Sequence, residues 1–139
     1  MTIEMTPPSY VPERLPDFER RYRQLYTTEA LQYDQVRFDH SRGQSFNSSE
    51  RATIEGLLGL DPGQSVLDVA AGTGRIAAYL ASQRLDVTAV DLTHNMLRQA
   101  QSRADDQVLD NIRFVEANGR VLPFPDSSFD AVMSIRFLH

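Results

Sequence analysis

The sequence predicts an α/β protein in which helices flank a parallel β-sheet and a helical arm precedes it. From Val66 onward, short runs rich in β-branched residues alternate with stretches of helical periodicity, the pattern of strands joined by crossover helices. The first run ends in a turn of small residues, and the second ends in an aspartate. Together these strand ends predict a ligand site at the carboxyl edge of the sheet.

Length and composition narrow the class of protein. A chain of 139 residues is long enough for one domain with a core and too short for two. A net charge of -5 gives no general attraction for nucleic acid, which is therefore not an expected partner. No apolar run has the length of a membrane-spanning helix, and the first residues lack the order of a signal peptide. We therefore expect a cytoplasmic protein with no membrane span.

Two residue types are missing, and their absence excludes several chemistries. All 14 basic residues are arginine, and there are 0 cysteines. Without lysine the chain cannot supply a P-loop lysine or a Schiff-base lysine. Without cysteine it has no thiolate nucleophile and no thiolate zinc site. His40, His94 and His139 lack metal-ligand spacing, so no metal site is predicted.

The first 46 residues are expected to form an arm with a lid-like helix and loop, and residues 47–139 to form the ligand-binding domain. Four prolines predict an extended arm over Met1–Pro16. Near-helical spacing of aromatic residues predicts a helix from Asp17 to about Tyr33, with its aromatic face used for packing. The segment Tyr33–Phe46 has no clear period and is predicted to be a loop.

The remaining elements follow in alternation. Ser48 is a predicted cap for a helix that Gly59 and the following "DPG" end. Strands are predicted in "SVLDVA", "DVTAVD", "NIRFVEA" and "FDAVMSI". Helices lie between them at about Gly74–Arg84 and Asn95–Ala104, and Thr93 is a predicted cap for the second.

The turn after the first strand is the most informative stretch. "VLDVAAGTGR" passes from Asp68 through small residues, including Gly72, into a helix. We expect unpaired amide groups of this turn to face the crevice above the sheet. Asp91 falls 19 residues after Gly72 at the tip of the next strand, where a carboxylate can accept both hydroxyls of a ribose. The pair fits either a nicotinamide cofactor or an adenosyl cofactor.

Finer detail separates these cofactors. A G-x-G-x-x-G fingerprint would align its glycines with Ala70, Gly72 and Arg75, and an arginine at the third position would obstruct helix packing unless it pointed away. The pattern D-x-G-x-G-x-G fits better, since it reads Asp68, Ala70, Gly72 and Gly74 with only the first glycine changed. The second pattern is the one that methyltransferases use.

A third stretch, "FVEANGRVLPFPDSSFDAVMS", resembles the segment that class I S-adenosylmethionine-dependent methyltransferases carry across their third and fourth strands. The nearest type is the ubiquinone and menaquinone C-methyltransferase, whose members can also have asparagine, in place of the usual aspartate, before "LPFPD". The resemblance runs from about Val66 to Ile135, roughly half of the chain. It implies a Rossmann-like class I methyltransferase fold with a partial parallel sheet in the order 3-2-1-4, and S-adenosyl-L-methionine as the cofactor.

The resemblance also implies roles for individual residues. The methionine end of the cofactor would be held by Asp68, Thr73 and the backbone of Gly72 and Gly74, in the turn that contains Ala70. Asp91 would hold the ribose, Leu92 would flank the adenine, and Asn118 with Gly119 would read the adenine edge. The expected reaction is methyl transfer to a small-molecule acceptor, and no catalytic residue is assigned.

Several alternatives stay open. The resemblance implies further strands after "MSIRFLH", so we expect a chain truncated after core strand 4, with that strand as an edge that can pair with another chain. A non-catalytic adenosyl-binding or assembly module left by truncation is the second candidate. A NAD-binding oxidoreductase is the third, against which Arg75 and "LPFPDSSFD" argue. Tyr33, Arg37 and Arg42 lie where many relatives have a lid, and a solvated loop is the other interpretation.

Overall fold

The computed structural model describes residues 17–39, 41–135 and 137, and its central feature is one four-stranded parallel sheet. The strands lie in the order β3-β2-β1-β4, which confirms the predicted fold class and strand order. In chain order the elements are α1 (Asp17–Glu29), α2 (Tyr33–Arg37), α3 (Ser41–Leu58), β1 (Ser65–Val69), α4 (Arg75–Ser82), β2 (Asp86–Asp91), α5 (His94–Asp106), β3 (Ile112–Glu116) and β4 (Ala131–Ser134).

The register of the strands brings their carboxyl ends to one edge. Val69 at the end of β1 is paired with Val90 of β2 on one side and with Ser134 of β4 on the other. Asp91 is paired with Glu116, the last residue of β3. The segments that follow β1, β2 and β3 therefore lie side by side, which is where ligands bind in open parallel sheets.

Alternating side chains of the strands form two apolar layers, as the period of a strand requires. On one face, Val66 and Phe114 belong to the cluster formed with α4 and α5. On the other face, Leu67 and Val90 belong to a second cluster. Three partly buried side chains pack against it: Leu122, Phe124 and Phe129. Burying one such side chain contributes about 1.5–3 kcal/mol, so the two layers hold the sheet that positions the site.

The predicted loop over residues 33–46 is wrong, because this segment is mostly helical. It contains α2, and α3 begins at Ser41 rather than after Ser48. Ser48 lies inside the helix and donates from its Oγ to the carbonyl oxygen of Gln44 at 3.1 Å. The physical reason is tertiary contact, since Asn47 and Glu50 bind an arginine of α4, which a search for apolar periodicity does not detect.

Other boundaries are close to prediction. Helix α3 ends at Leu58, and Gly59 follows with φ 54°, as expected of a glycine that stops a helix. Thr93 precedes α5 as predicted but makes no side-chain cap hydrogen bond. Helix α3 crosses residue 46, and the division into two domains stays a prediction. The predicted arm, Met1–Pro16, lies outside the described residues, as do His40 and His139.

Strand β4 lies at one side of the sheet. Within the described residues it pairs with β1 alone. Its residue Val132 is 60% exposed. Pairing of this strand with another chain stays a prediction. Across the ranges that the structure describes, no helix combines the length and the apolar composition needed to cross a membrane.

Candidate ligand-binding site

The turn after β1 is built from left-handed backbone conformations. Ala70, Gly72 and Gly74 have φ values of 63°, 58° and 70°, a region that glycine adopts readily and alanine only with strain. A Cβ atom on Gly74 would lie 2.5 Å from the Cβ of Ala100, so this glycine lets α4 pack closely on α5. Ala70 keeps the same backbone conformation without being glycine.

The expectation of unpaired amides in this turn is wrong for three of its residues. The Ala71 amide donates to the carbonyl oxygen of Val90 at 2.9 Å, and the Gly74 amide donates to that of Ala71 at 3.1 Å. The Gly72 amide donates to Asp91 Oδ2 at 2.9 Å. The turn is closed against β2, so its side chains and small-residue surfaces, rather than these amides, face the crevice.

Asp68 is a buried carboxyl group at the floor of the crevice, with only 3% of its surface exposed. Burial, with a smaller contribution from the nearby Asp91, raises its pKa from 3.8 to about 7, and Arg75 opposes the rise. None of the described residues donates a hydrogen bond to this carboxyl group. A buried carboxylate without a partner is costly, so the site favours a cationic group on a ligand.

Asp91 is held at the tip of β2 by backbone amides. Its Oδ2 accepts from Gly72, and its Oδ1 accepts from Thr93 at 2.9 Å. Burial raises the pKa of Asp91, and these two amide hydrogen bonds oppose the rise. Each carboxylate oxygen has two lone pairs, so both retain acceptor capacity for a ligand hydroxyl.

The crevice has two adjoining compartments that share Tyr22, Ala70 and Asp91. The smaller compartment has a volume of about 60 Å³ and contains Asp68. The larger has a volume of about 250 Å³ and contains Asn118. The structure brings eight of the nine predicted site residues to the walls of these compartments: Asp68, Ala70, Gly72 and Thr73 in the smaller, and Ala70, Asp91, Leu92, Asn118 and Gly119 in the larger. Gly74 lines neither.

At the far end of the larger compartment, Asn118 is fixed by hydrogen bonds on both sides of its amide. Its Oδ1 accepts from the backbone amide of Arg120 at 2.9 Å, and its Nδ2 donates to Glu19 Oε2 at 3.3 Å. A Cβ atom on the neighbouring Gly119 would lie 2.8 Å from Val69 Cγ1 and 3.1 Å from the Phe137 ring. A glycine is therefore required here by close packing.

Helices α1 and α2 cover the crevice. Sequence patterns did not reveal the residues that hold this cover on the sheet domain. Asp34 of α2 accepts from Thr73 Oγ1 at 2.8 Å, and its other oxygen pairs with Arg103. The Nε of Arg103 donates to the carbonyl oxygen of Thr73 at 3.1 Å. These partners lie 39 and 69 residues from Asp34 in sequence, so no local spacing signals them.

The aromatic face of α1 packs as expected and also forms a wall of the site. The ring centroids of Tyr22 and Tyr26 are 4.3 Å apart, and both side chains line the smaller compartment with Tyr33. Arg37 stacks over the Tyr33 ring at 4.7 Å, while Arg42 is exposed and lines neither compartment. A lid function for this region stays a prediction.

The Arg75 side chain packs against the helices that precede β1 and also lines the smaller compartment, so the steric conflict expected at this position does not arise. Its guanidinium lies 4.1 Å from the centroid of the Phe38 ring, pairs with Glu50 and donates to Asn47 Oδ1. The side chain is buried between α4 and the helices that precede β1, which means that Arg75 alone does not exclude a dinucleotide cofactor.

The fold and the crevice define a Rossmann-like domain for a nucleoside-containing cofactor, and comparisons with known proteins give its family. A family model described as a methyltransferase domain matches residues 66–139. An uncharacterized protein of Mycobacterium tuberculosis is 45% identical over 76 residues, which cover 55% of this chain and 27% of that protein. The ubiquinone/menaquinone biosynthesis C-methyltransferase of a Shewanella species is 37% identical over 87 residues, which cover 60% and 34%.

A solved structure shows the same likeness. The phosphoethanolamine N-methyltransferase 2 of Haemonchus contortus, in complex with phosphomonomethylethanolamine and S-adenosylhomocysteine, is 28% identical, with a TM-score of 0.67 over 89% of this chain and 29% of that one. The chain belongs to the methyltransferase domain family, and the predicted class, the S-adenosylmethionine-dependent methyltransferases of class I, is confirmed. The chain spans about a third or less of the length of the curated relatives above, 27% and 34%.

Proposed function

We propose that this chain binds S-adenosyl-L-methionine along the crevice and transfers its methyl group to a small-molecule acceptor. The observation that carries the proposal is the buried carboxyl group of Asp68, which lines the crevice without a hydrogen-bond donor among the described residues. The methionine end of the cofactor has an ammonium group, and this is the partner that a buried carboxylate lacks.

The methionine end would occupy the smaller compartment. Asp68 would bind its ammonium group, and Thr73 would contact it through the hydroxyl that Asp34 now accepts from. Ala70 and Gly72 have little side chain and let the ligand approach the turn. Gly74 would support this end indirectly, since it lies against Ala100.

The adenosyl end would occupy the larger compartment. Asp91 stands at the junction of the two compartments, where its remaining lone pairs would accept the ribose hydroxyls. Leu92 would contact the face of the adenine, and Asn118 with Gly119 would contact its edge. The order of these residues along the crevice matches the order of methionine, ribose and adenine in the ligand.

The cofactor supplies an activated methyl group on a sulfonium that leaves as a neutral thioether. The work of this chain is then to align the reactants and exclude water. The rings of Tyr22, Tyr26 and Tyr33 line the smaller compartment and would exclude water from the methyl group. A small molecule is the acceptor class we propose, because the similar methyltransferase of Haemonchus contortus is in complex with one, phosphomonomethylethanolamine.

Asp68→Asn tests the assignment of the two ends. The asparagine preserves shape and removes the charge, so we expect the affinity for S-adenosylhomocysteine to fall roughly 10- to 100-fold, the range of a hydrogen bond to a charged group. The affinity for methylthioadenosine, which has no amino-acid group, should stay within about twofold. Isothermal calorimetry measures both, and Asp86→Asn, an exposed residue of β2, is the matched control. Equal weakening of both ligands by Asp68→Asn would contradict the assignment.

Turnover separates an enzyme from a binding module. A labelled methyl group on the cofactor, offered with amine, phenol and quinol acceptors, should appear on one acceptor class. Binding of the cofactor without transfer to any of them would favour the non-catalytic alternative.

A further inference from the structure

Glu19 is a buried carboxylate on a helix that is otherwise largely exposed. Only 7% of its surface is exposed, and it lines the larger compartment beside Asn118. It lies outside the part of the chain that the methyltransferase model matches. Buried carboxylates require partners, so the groups that face Glu19 indicate what it does there.

Among the residues that the structure describes, two side chains contact this carboxylate. Arg120 approaches Glu19 Oε1 at 3.4 Å with a side chain that is 57% exposed, and Asn118 donates from Nδ2 to Oε2 at 3.3 Å. Both contacts are long for hydrogen bonds of a carboxylate. Since an ionised carboxylate has about four lone-pair positions, Glu19 retains acceptor capacity toward the compartment.

The same contact orients Asn118. Its Nδ2 faces Glu19 and its Oδ1 faces the backbone amide of Arg120, so either partner alone would select this orientation of the amide. The Asn118 oxygen, which is the expected acceptor for the adenine amino group, already accepts one hydrogen bond. The end of the compartment is therefore rich in acceptors, with Glu19 supplying the negative charge that Asn118 lacks.

We infer that Glu19 is a second adenine-binding residue, whose carboxylate accepts a hydrogen bond from the exocyclic amino group of the base beside Asn118. The inference rests on the proposed binding of an adenosyl cofactor. An adenine presents an N–H donor at this position, whereas a 6-oxopurine presents an acceptor. A carboxylate at this end of the compartment thus selects aminopurine over oxopurine, because an oxo oxygen donates no hydrogen bond to its free lone pairs and is repelled by its charge.

The test compares S-adenosylhomocysteine with S-inosylhomocysteine, in which an oxo group replaces the amino group and the adjacent N1 carries a proton, on the wild type and on Glu19→Gln. We expect the wild type to prefer the adenosyl ligand by about 100-fold or more. In Glu19→Gln the amide can donate to the oxo group, and the preference should fall by about tenfold or more. Asp17→Asn removes one charge from an exposed position on the same helix and should leave the preference unchanged.

The readout distinguishes adenine recognition from mere support of α1. If Glu19 had only a structural role, Glu19→Gln would lower the affinity for both ligands equally and leave the ratio of the two affinities unchanged. That outcome would overturn the inference. Glu19→Ala gives a second check, since loss of the carboxylate should also reduce the ratio while circular dichroism shows an unchanged fold. If neither ligand binds the wild type, the proposed function itself fails, which is a different result.

Discussion

Gly74 and Ala100 are in direct contact, because the position that a Cβ atom of Gly74 would occupy lies 2.5 Å from the Cβ of Ala100. This contact places the start of α4 against the middle of α5 at the end of the turn. The glycine therefore serves the packing that shapes the crevice, while its neighbours in the turn line it.

Gly74→Ala is expected to destabilise the fold. Overpacking costs about 1–3 kcal/mol, and the left-handed backbone adds about 1–2 kcal/mol for alanine. Gly63→Ala is the matched control, since Gly63 also has positive φ but has nothing within 4 Å of its Cβ position. Urea unfolding should show a larger loss for Gly74→Ala, and Ala100→Gly should recover part of it. Equal losses at the two glycines would contradict the contact.

Ala70→Gly is expected to stabilise the fold by about 1 kcal/mol. Ala70 has φ 63°, and a glycine relieves the left-handed strain of about 1–2 kcal/mol while adding some disorder to the unfolded chain. Ala71→Gly, next in the turn and not among the residues with positive φ, should instead destabilise. Thermal unfolding of the two variants measures the change in stability. A loss of stability in Ala70→Gly would show that the backbone at Ala70 is not strained.

Asp68→Asn is expected to change how stability depends on pH. The pKa of Asp68 is raised from 3.8 to about 7 by burial, so the folded state binds this proton more tightly than the unfolded chain does. Its contribution to stability is full below about pH 4 and is lost as the pH rises toward 7, by up to about 4 kcal/mol. The variant should be more stable than the wild type at pH 8.

The control for this prediction is the same pair of proteins at pH 4, where both side chains are neutral and the difference should fall below about 1 kcal/mol. Asp91 is present in both proteins, so its own burial and amide hydrogen bonds do not enter the difference, and only its repulsion by the Asp68 charge does. Urea unfolding across this pH range gives the values. A difference that is the same at pH 4 and pH 8 would show that Asp68 is not a buried titrating group.

Asp34→Ala is expected to loosen the cover over the crevice. The change removes the acceptor for Thr73 and the partner of Arg103, whose loss costs about 1–3 kcal/mol. Hydrogen exchange in α1 and α2 should then become about tenfold faster or more, while exchange in β1 stays as in the wild type. Asp39→Ala changes an exposed side chain nearby and should have no such effect. Equal exchange rates in the wild type and both variants would show that the contacts of Asp34 do not hold these helices over the crevice.

The sequence predicted the sheet and the turn because their signals are local. "SVLDVA" and "DVTAVD" have strand composition, and the run from Ala70 to Gly74 leaves few conformations other than a tight turn. The strand order came from the resemblance rather than from residue patterns. With the strands placed, Asp91 and Asn118 had to lie at one edge.

The cover of the crevice was not predictable in the same way. Helix α3 was assigned the wrong start because its middle is held by the contact of Glu50 with Arg75, 25 residues away. Glu19 and Asn118 are 99 residues apart, and no pattern within one element connects them. Contacts of this kind depend on how elements pack, and sequence periodicity records only which face of an element is apolar.

The most direct test of the proposed cofactor is a pair of calorimetric titrations of the wild type at pH 8, one with S-adenosylhomocysteine and one with NAD. We expect saturable binding of one equivalent of S-adenosylhomocysteine and no binding of NAD at the same concentrations, because Asp68 offers a carboxylate to the ammonium group that only the first ligand has. Binding of NAD without binding of S-adenosylhomocysteine would contradict the assignment of the crevice.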